Sequence, residues 1–114
     1  MNDQAIEQEI QAKGLTAPRV TPQDIEANIK QEYYFTAGEG YCGATGGKVY
    51  PSALGLLTFC VIELQSGFIV TGESACASPE NFDADLGRKI ARQNAVQKIW
   101  PLMGYALKEK LAAE

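Results

Sequence analysis

Residues 56–76, LLTFCVIELQSGFIVTGESAC, constrain the fold more than any other stretch, because two runs rich in β-branched and aromatic residues flank Ser66-Gly67. Such residues favour extended chain, and glycine in a two-residue turn supplies the angles that reverse it, so an antiparallel hairpin is predicted. With Ser66 and Gly67 at the centre of the turn, Leu64 lies opposite Ile69, Ile62 opposite Thr71 and Cys60 opposite Glu73. The other face then carries Leu57, Phe59, Val61, Val70 and Cys76, and Cys60 and Cys76 point apart, which argues against a disulfide. Both faces are apolar. One helical layer covers only one of them, so a further element or a second subunit is expected on the far side, and a homo-oligomer is expected.

Helix signals flank this hairpin. Ser78-Pro79-Glu80 combines a cap hydroxyl, a first-turn proline and an acid at the positive helix end, predicting a long helix from Pro79 to about Trp100. Pro101 is expected to interrupt it, and a last helix from Leu102 to about Ala112 to fold back. On the long helix Phe82, Leu86, Ile90, Val96 and Trp100 share one arc, while Ala84, Ala91, Ala95 and Ile99 form a seam that another helix could approach closely. Thr21-Pro22-Gln23-Asp24 repeats the start signal and predicts a helix from Pro22 to about Tyr33, with Ile25, Ile29 and Tyr33 buried and Glu26, Lys30 and Glu32 facing water.

Residues 1–20 read as a short helical arm, capped by Asn2 or Asp3 and ended by Gly14, followed by a linker. Residues 21–114 read as one α+β domain, a hairpin, alone or within a small sheet, packed on a long C-terminal helix. Six glycines and one proline between 36 and 55 predict a long irregular loop there, either a binding loop or a plain insertion. Its Gly38, Gly40 and Gly43 match a GxGxxG spacing, but no strand leads into it and no helix opens from it, so a dinucleotide fingerprint is rejected.

Composition excludes several function classes. A chain of 114 residues with 46% hydrophobic content supports one modest core. A net charge of −4 and a pI near 4.8 argue against general nucleic-acid binding. No segment approaches the ~20 apolar residues of a membrane helix, and the N-terminus is polar, which together read as a soluble protein. With no histidine and no close CxxC among Cys42, Cys60 and Cys76, neither a zinc site nor a cofactor is expected. Asn81, Asp83 and Asp85 alternate like a calcium loop but lack its glycine and closing glutamate, so they are read as a helix cap.

Catalysis is not expected either, since a nucleophile such as Cys60, Cys76 or Ser74 would depend on Glu73 or Lys89 as base, and no such pair stands at a recognised spacing. The candidate site is instead a helix strip in which Asp85 is spaced to pair with Arg88, Lys89 or Arg92, read either as a solvated salt-bridge strip or as a source of cations for other groups. Glu73, on a mostly apolar strand face, requires a cation, and Arg88, Lys89 or Arg92 on the following helix supply one. The same cations could hold a ligand phosphate, with Tyr33, Tyr34 or Tyr41 stacking on a base.

The runs LLTFCVIEL and GFIVTGESACASPENFDADLGRKIARQNAVQKIWPLMGY, together with TPQDIEANIKQEYYFTA, resemble the small phage protein family typified by coliphage N-four gene product forty-nine and a Shigella temperate phage's gene product sixty-six. The likeness covers residues 21–111, is most specific in TGESACASPENFD, GRKIAR and KIWPL, and leaves out the first twenty residues. It implies a phage origin and no settled activity, and it transfers no functional residue; together with the polar N-terminus and the lack of a membrane segment, it sets the expectation of a host-cytoplasm protein. In that setting two partners are expected in order: a host protein, approached through the two-sided apolar hairpin and acidic surface, then a small nucleotide-like signal molecule held by an oligomer.

Overall fold

The structure, a computed structural model, describes residues 2–114. Its elements in chain order are α1 (Asp3–Ala12), α2 (Pro22–Ala27), β1 (Ile29–Thr36), α3 (Ala37–Thr45), a 3-10 turn (Ser52–Leu56), β2 (Leu57–Leu64), β3 (Ile69–Ala75), a second 3-10 turn (Pro79–Asn81) and α4 (Ala84–Ala113). The three strands form one antiparallel sheet in the order β1-β2-β3, and α4 lies across one face of it, so the expected α+β architecture is present.

The hairpin forms, but its register is shifted by one residue. Leu64 N–H donates to Phe68 O and Gly67 N–H to Leu64 O, both at 2.9 Å, so the turn spans Gln65-Ser66-Gly67. Gly67 has φ 90°, a left-handed bulge conformation that favours glycine. Cys60 is therefore opposite Gly72, Ile62 opposite Val70 and Phe59 opposite Glu73. A one-residue slip moves every side chain of a strand to the other face. Val70 and Gly72 thus join Cys60, Ile62 and Leu64 toward α4, while Ile69, Thr71 and Glu73 turn to the far side. Cys76 pairs through its backbone with Leu56, on the same parity as Cys60 rather than the opposite one, and all three cysteines are free thiols.

Packing explains the register. The core comprises Ile25, Cys60, Ile62, Leu64, Val70, Ala91, Ala95, Val96 and Ile99. With Gly72 turned inward, the α4 backbone at Ala91 and Ala95 rests directly on the strand, because a Cβ there would collide with Ala91 O and Ala95 N. The alanine seam is therefore filled by the sheet and not by another helix.

The expected helix from Pro22 to Tyr33 and the expected loop after it are both redrawn. The Thr21 capping box with Asp24 starts α2 as predicted, but α2 ends at Ala27 and the chain becomes a strand. The aromatic run Glu32-Tyr33-Tyr34-Phe35 pairs with β2, whose second edge would otherwise be open. Gln65 fastens this junction, its side-chain amide donating to Ala27 O at 3.3 Å and its backbone N–H to Asn28 O at 2.9 Å. The glycine-rich stretch is likewise more ordered than predicted. Thr36 and Glu39 form a second capping box that starts α3, and Gly38 in its first turn makes room for the Tyr50 ring.

The start and end of the C-terminal helix also differ. Asp83, not Ser78, caps α4 by accepting from Leu86 N at 3.0 Å, and residues 79–81 form only a 3-10 turn. The helix then continues through Pro101 to Ala113 as 30 residues with no fold-back. At 1.5 Å per residue it is ~45 Å long, most of the molecule's 55 Å principal extent. No α4 residue beyond Ile99 is buried, and Met103 is the last to pack on the core, so the final turns project past the sheet. Among the described residues no helix is long and apolar enough to cross a membrane.

Just before these projecting turns, at Gln97 and Trp100, α1 lies against α4 without burying a residue. It is held by Trp100 Nε1, which donates to Asp3 Oδ2 at 3.0 Å, and by the two-pronged Arg19–Glu7 pair at 2.6 and 2.8 Å.

Candidate functional site

The residues with the most chemistry meet where α4 fails to cover the sheet. Because α4 packs on β3 and β2, the helix-side face of β1 is open along one flank. Strand alternation directs Glu32 and Tyr34 into that opening, and α4 presents Asp85, Arg88, Lys89 and Arg92 from the other side. Tyr34, Asp85, Arg88, Lys89 and Arg92 line an open cleft of about 330 Å³.

Arg92 is the centre of this arrangement. Its Nη2 donates to Glu26 Oε1 at 2.7 Å and its Nε donates to Glu32, so one guanidinium ties α4 to both α2 and β1. The bond to Glu26 and then that to Glu32 raise its already high pKa further. Arg88 is paired with Asp85 within its own helix. Tyr34 Oη donates to Glu32 Oε1 at 3.0 Å, and burial, followed by that bond, raises the phenol pKa. Directly across the ladder from Tyr34 lies Cys60, fully buried, whose thiol is also pushed up by burial.

Of the seven residues singled out in the sequence, the cleft assembles four: Tyr34, Arg88, Lys89 and Arg92. The other three lie elsewhere. Glu73 is exposed on the opposite sheet face and forms no ion pair among the described residues, while its backbone oxygen accepts from Asn94 Nδ2 at 2.8 Å. The expected Glu73–arginine pair is thus replaced by Glu32 and Glu26, because the shifted register sends Glu73 away from α4. Tyr33 is on the far face opposite Val61, and Tyr41 is on exposed α3.

Glu26 and Glu32, predicted to face water, are the acids that matter here. The signal for Glu32 was the two-residue spacing to Tyr34, legible only once β1 is known to be a strand. The cleft brings three cations against three carboxylates, Glu26, Glu32 and Asp85. Both arginines are already paired and, among the described residues, Lys89 alone is not, so an incoming phosphate would have to displace the arginine pairs, and the cleft is electrostatically a brace more than an anion trap. A second, mostly apolar hollow of about 230 Å³ lies under α1, among Ile6, Ile10, Val20, Pro22 and Trp100. Among the described residues no group of three or more Cys, Asp or Glu side chains is placed to hold a metal ion.

The far face is only partly covered. Phe35 and Phe59 pack ring to ring at 5.4 Å, and α3 leans over them at one end. Beyond α3 the face is open, with Tyr33 51% and Ile69 47% exposed beside half-buried Val61 and Thr71. Glu63 and Glu73 rim it, with Lys30 3.8 Å from Glu63 as the balancing cation.

No curated protein and no solved structure matches the chain. A family model does match, over residues 20–111, which run from just before the α2 cap to the last turn of α4 and contain the sheet, the Arg92 brace and the open face. The chain therefore belongs to the Phage protein (N4 Gp49/phage Sf6 gene 66) family.

Proposed function

We propose that this phage protein works by binding, in the host cytoplasm, a host protein through the far face of its sheet. The observation that carries this reading is the uncovered patch of Tyr33, Val61 and Ile69 on a domain whose helix layer is spent on the opposite face. Its rim carries two carboxylates, Glu63 and Glu73, to one ammonium, Lys30, on a chain of net charge −4. The matching partner surface is apolar with a basic border.

Binding is favoured over small-ligand capture because Arg88 and Arg92 are engaged by the protein's own acids. It is favoured over catalysis because the Cys60 thiol, buried and raised in pKa, is a weak nucleophile. A photo-crosslinking residue at Ile69, compared with one at Lys108 on the projecting end of α4, tests the surface in infected cells. The expected result is one host protein trapped at position 69, whose purified form binds saturably and loses at least tenfold in affinity with Ile69→Glu. Trapping at position 108 alone would overturn the reading, as would a nucleotide that raises the melting temperature while no protein binds.

A further inference from the structure

The two edges of the sheet differ in what could join them. Along β3, α4 sits on Gly72, and Asn94 already occupies the Glu73 carbonyl. A second copy added there would bring its own α4 within about one strand spacing, ~5 Å, where helices need 8–10 Å. Along β1, among the described residues, α4 makes no comparable packing, and the helices that touch the strand, α2 and α3, adjoin its two ends in the chain.

The hydrogen-bond parity shows what β1 offers. Leu64 and Phe68, and Leu56 and Cys76, are bonded pairs, so even-numbered residues of β2 turn their peptide groups to β3 and odd-numbered ones to β1. In β1, Gln31, Tyr33 and Phe35 therefore bond to β2, whereas the N–H and C=O groups of Glu32 and Tyr34 point out of the sheet. Two local bonds agree: Glu32 N–H donates to the Gln31 side chain at 3.1 Å, and Thr36 N–H to Glu39 at 2.9 Å, where β1 gives way to α3. Three consecutive aromatic residues, Tyr33, Tyr34 and Phe35, stand 51%, 37% and 37% exposed on this edge. The register irregularity and Lys30 guard only its first residues, and the Glu32 charge is already neutralised by Arg92. An unguarded aromatic edge is a pairing surface.

We infer that the protein is a two-fold dimer in which residues 31–35 of β1 pair antiparallel with the same residues of a second copy, giving one six-stranded sheet. The axis passes at Tyr33, which faces its own counterpart on the far side. Each Tyr34 phenol, which donates to its own Glu32 within one chain, meets the other copy's Glu32 on the helix side and can exchange one carboxylate for the other, and the outward peptide groups of 32 and 34 satisfy each other. The two α4 helices lie ~20 Å apart, so they do not collide. The three rings contribute roughly 250 Å² per copy at about 200 Å² per buried ring, a third of the ~800 Å² typical per partner. The remainder comes from the strand backbone and the walls of the cleft. The host-binding patch shares Tyr33 with this axis, so the two are told apart by Ile69→Glu, which tests host binding without touching the axis.

Sedimentation equilibrium of the whole chain across roughly 1–200 µM, about the range in which an interface of this size associates, should give twice the 12.3 kDa chain mass. Tyr33→Lys sets two ammonium groups at the axis and should weaken the dimer at least tenfold with unchanged circular dichroism. Tyr34→Pro removes an outward N–H that no neighbouring strand uses, and should do the same. In a Cys42→Ser, Cys76→Ser background, Tyr33→Cys should oxidise to a covalent dimer and Ile69→Cys should not; this decides the matter if either edge variant misfolds. A monomer throughout the range, a dimer indifferent to Tyr33→Lys, cross-linking at 69 rather than 33, or pairing of β1 with a strand of another protein overturns the inference.

Discussion

Gly72 and Ala95 meet backbone to backbone, the helix resting on the strand with no side chain between them. Gly72→Ala should therefore lift α4 from the sheet, at a cost of about 2–3 kcal/mol as for an overpacked core. Thermal denaturation should register this as a fall of roughly 10 °C. Gly104→Ala, on the projecting end of the same helix, where an added Cβ meets nothing within 4 Å, is the control and should have the opposite sign, stabilising by about 0.5–1 kcal/mol.

Arg92→Ala should cost about 1–3 kcal/mol, because it leaves the half-buried Glu32 without its cation and frees α2 from α4. Arg92→Lys should recover only part of the loss, since one ammonium cannot span both carboxylates with a planar fork. Urea titrations of the two variants, with Glu32→Gln added to each, give the coupling directly. A coupling near zero would mean that the brace does not stabilise the fold.

Acid should release the N-terminal arm before the body unfolds. The Arg19 fork, then Gln11, hold the Glu7 carboxyl at about 2, below its ordinary 4.5. The undocked arm binds the proton first as pH falls, so the docking contribution is complete above about 4.5 and is lost progressively toward 2. Trp100, bonded to Asp3 of the arm, reports the change by fluorescence. Glu7→Gln should weaken docking at neutral pH and flatten that titration.

Pro101→Ala should stabilise the protein. Proline inside α4 offers no N–H to the carbonyl of Gln97, and helix interiors charge up to ~3 kcal/mol for such a residue. A gain of about 1–2 kcal/mol is expected in guanidinium titrations, together with slower exchange of the amides from 98 to 104. A loss would indicate that the proline sets a bend on which packing depends.

The sequence-level reading succeeded where one local signal acts alone. The cap residues of α1 and α2, the existence of the hairpin and the uninterrupted aliphatic pattern of β2 are of this kind, because each follows from a few neighbouring side chains. It failed where tertiary contact decides. Ile25, Ile29 and Tyr33 suit a helix stripe, yet β2 needed a second neighbour and drew residues 29–36 into the sheet. Ser66-Gly67 suits a two-residue turn, yet burying Val70 with Ile62 and setting Gly72 beneath α4 favours a three-residue one. That single residue carried Glu73 away from the arginines and gave its place to Glu32 and Glu26. Glycine in α3 and proline in α4 misled in the same way, since packing of Tyr50 and Phe35 outweighs the first and helix continuity around Ile99 and Met103 the second.

The overhang of α4 has a practical consequence for handling the molecule. The ten residues from 104 to 113 form a boom of ~15 Å, so cargo attached after Glu114 is held clear of all three strands. Cargo attached ahead of Asn2 would sit beside the Trp100 indole instead. Labels, beads and reporters therefore belong on the carboxyl end.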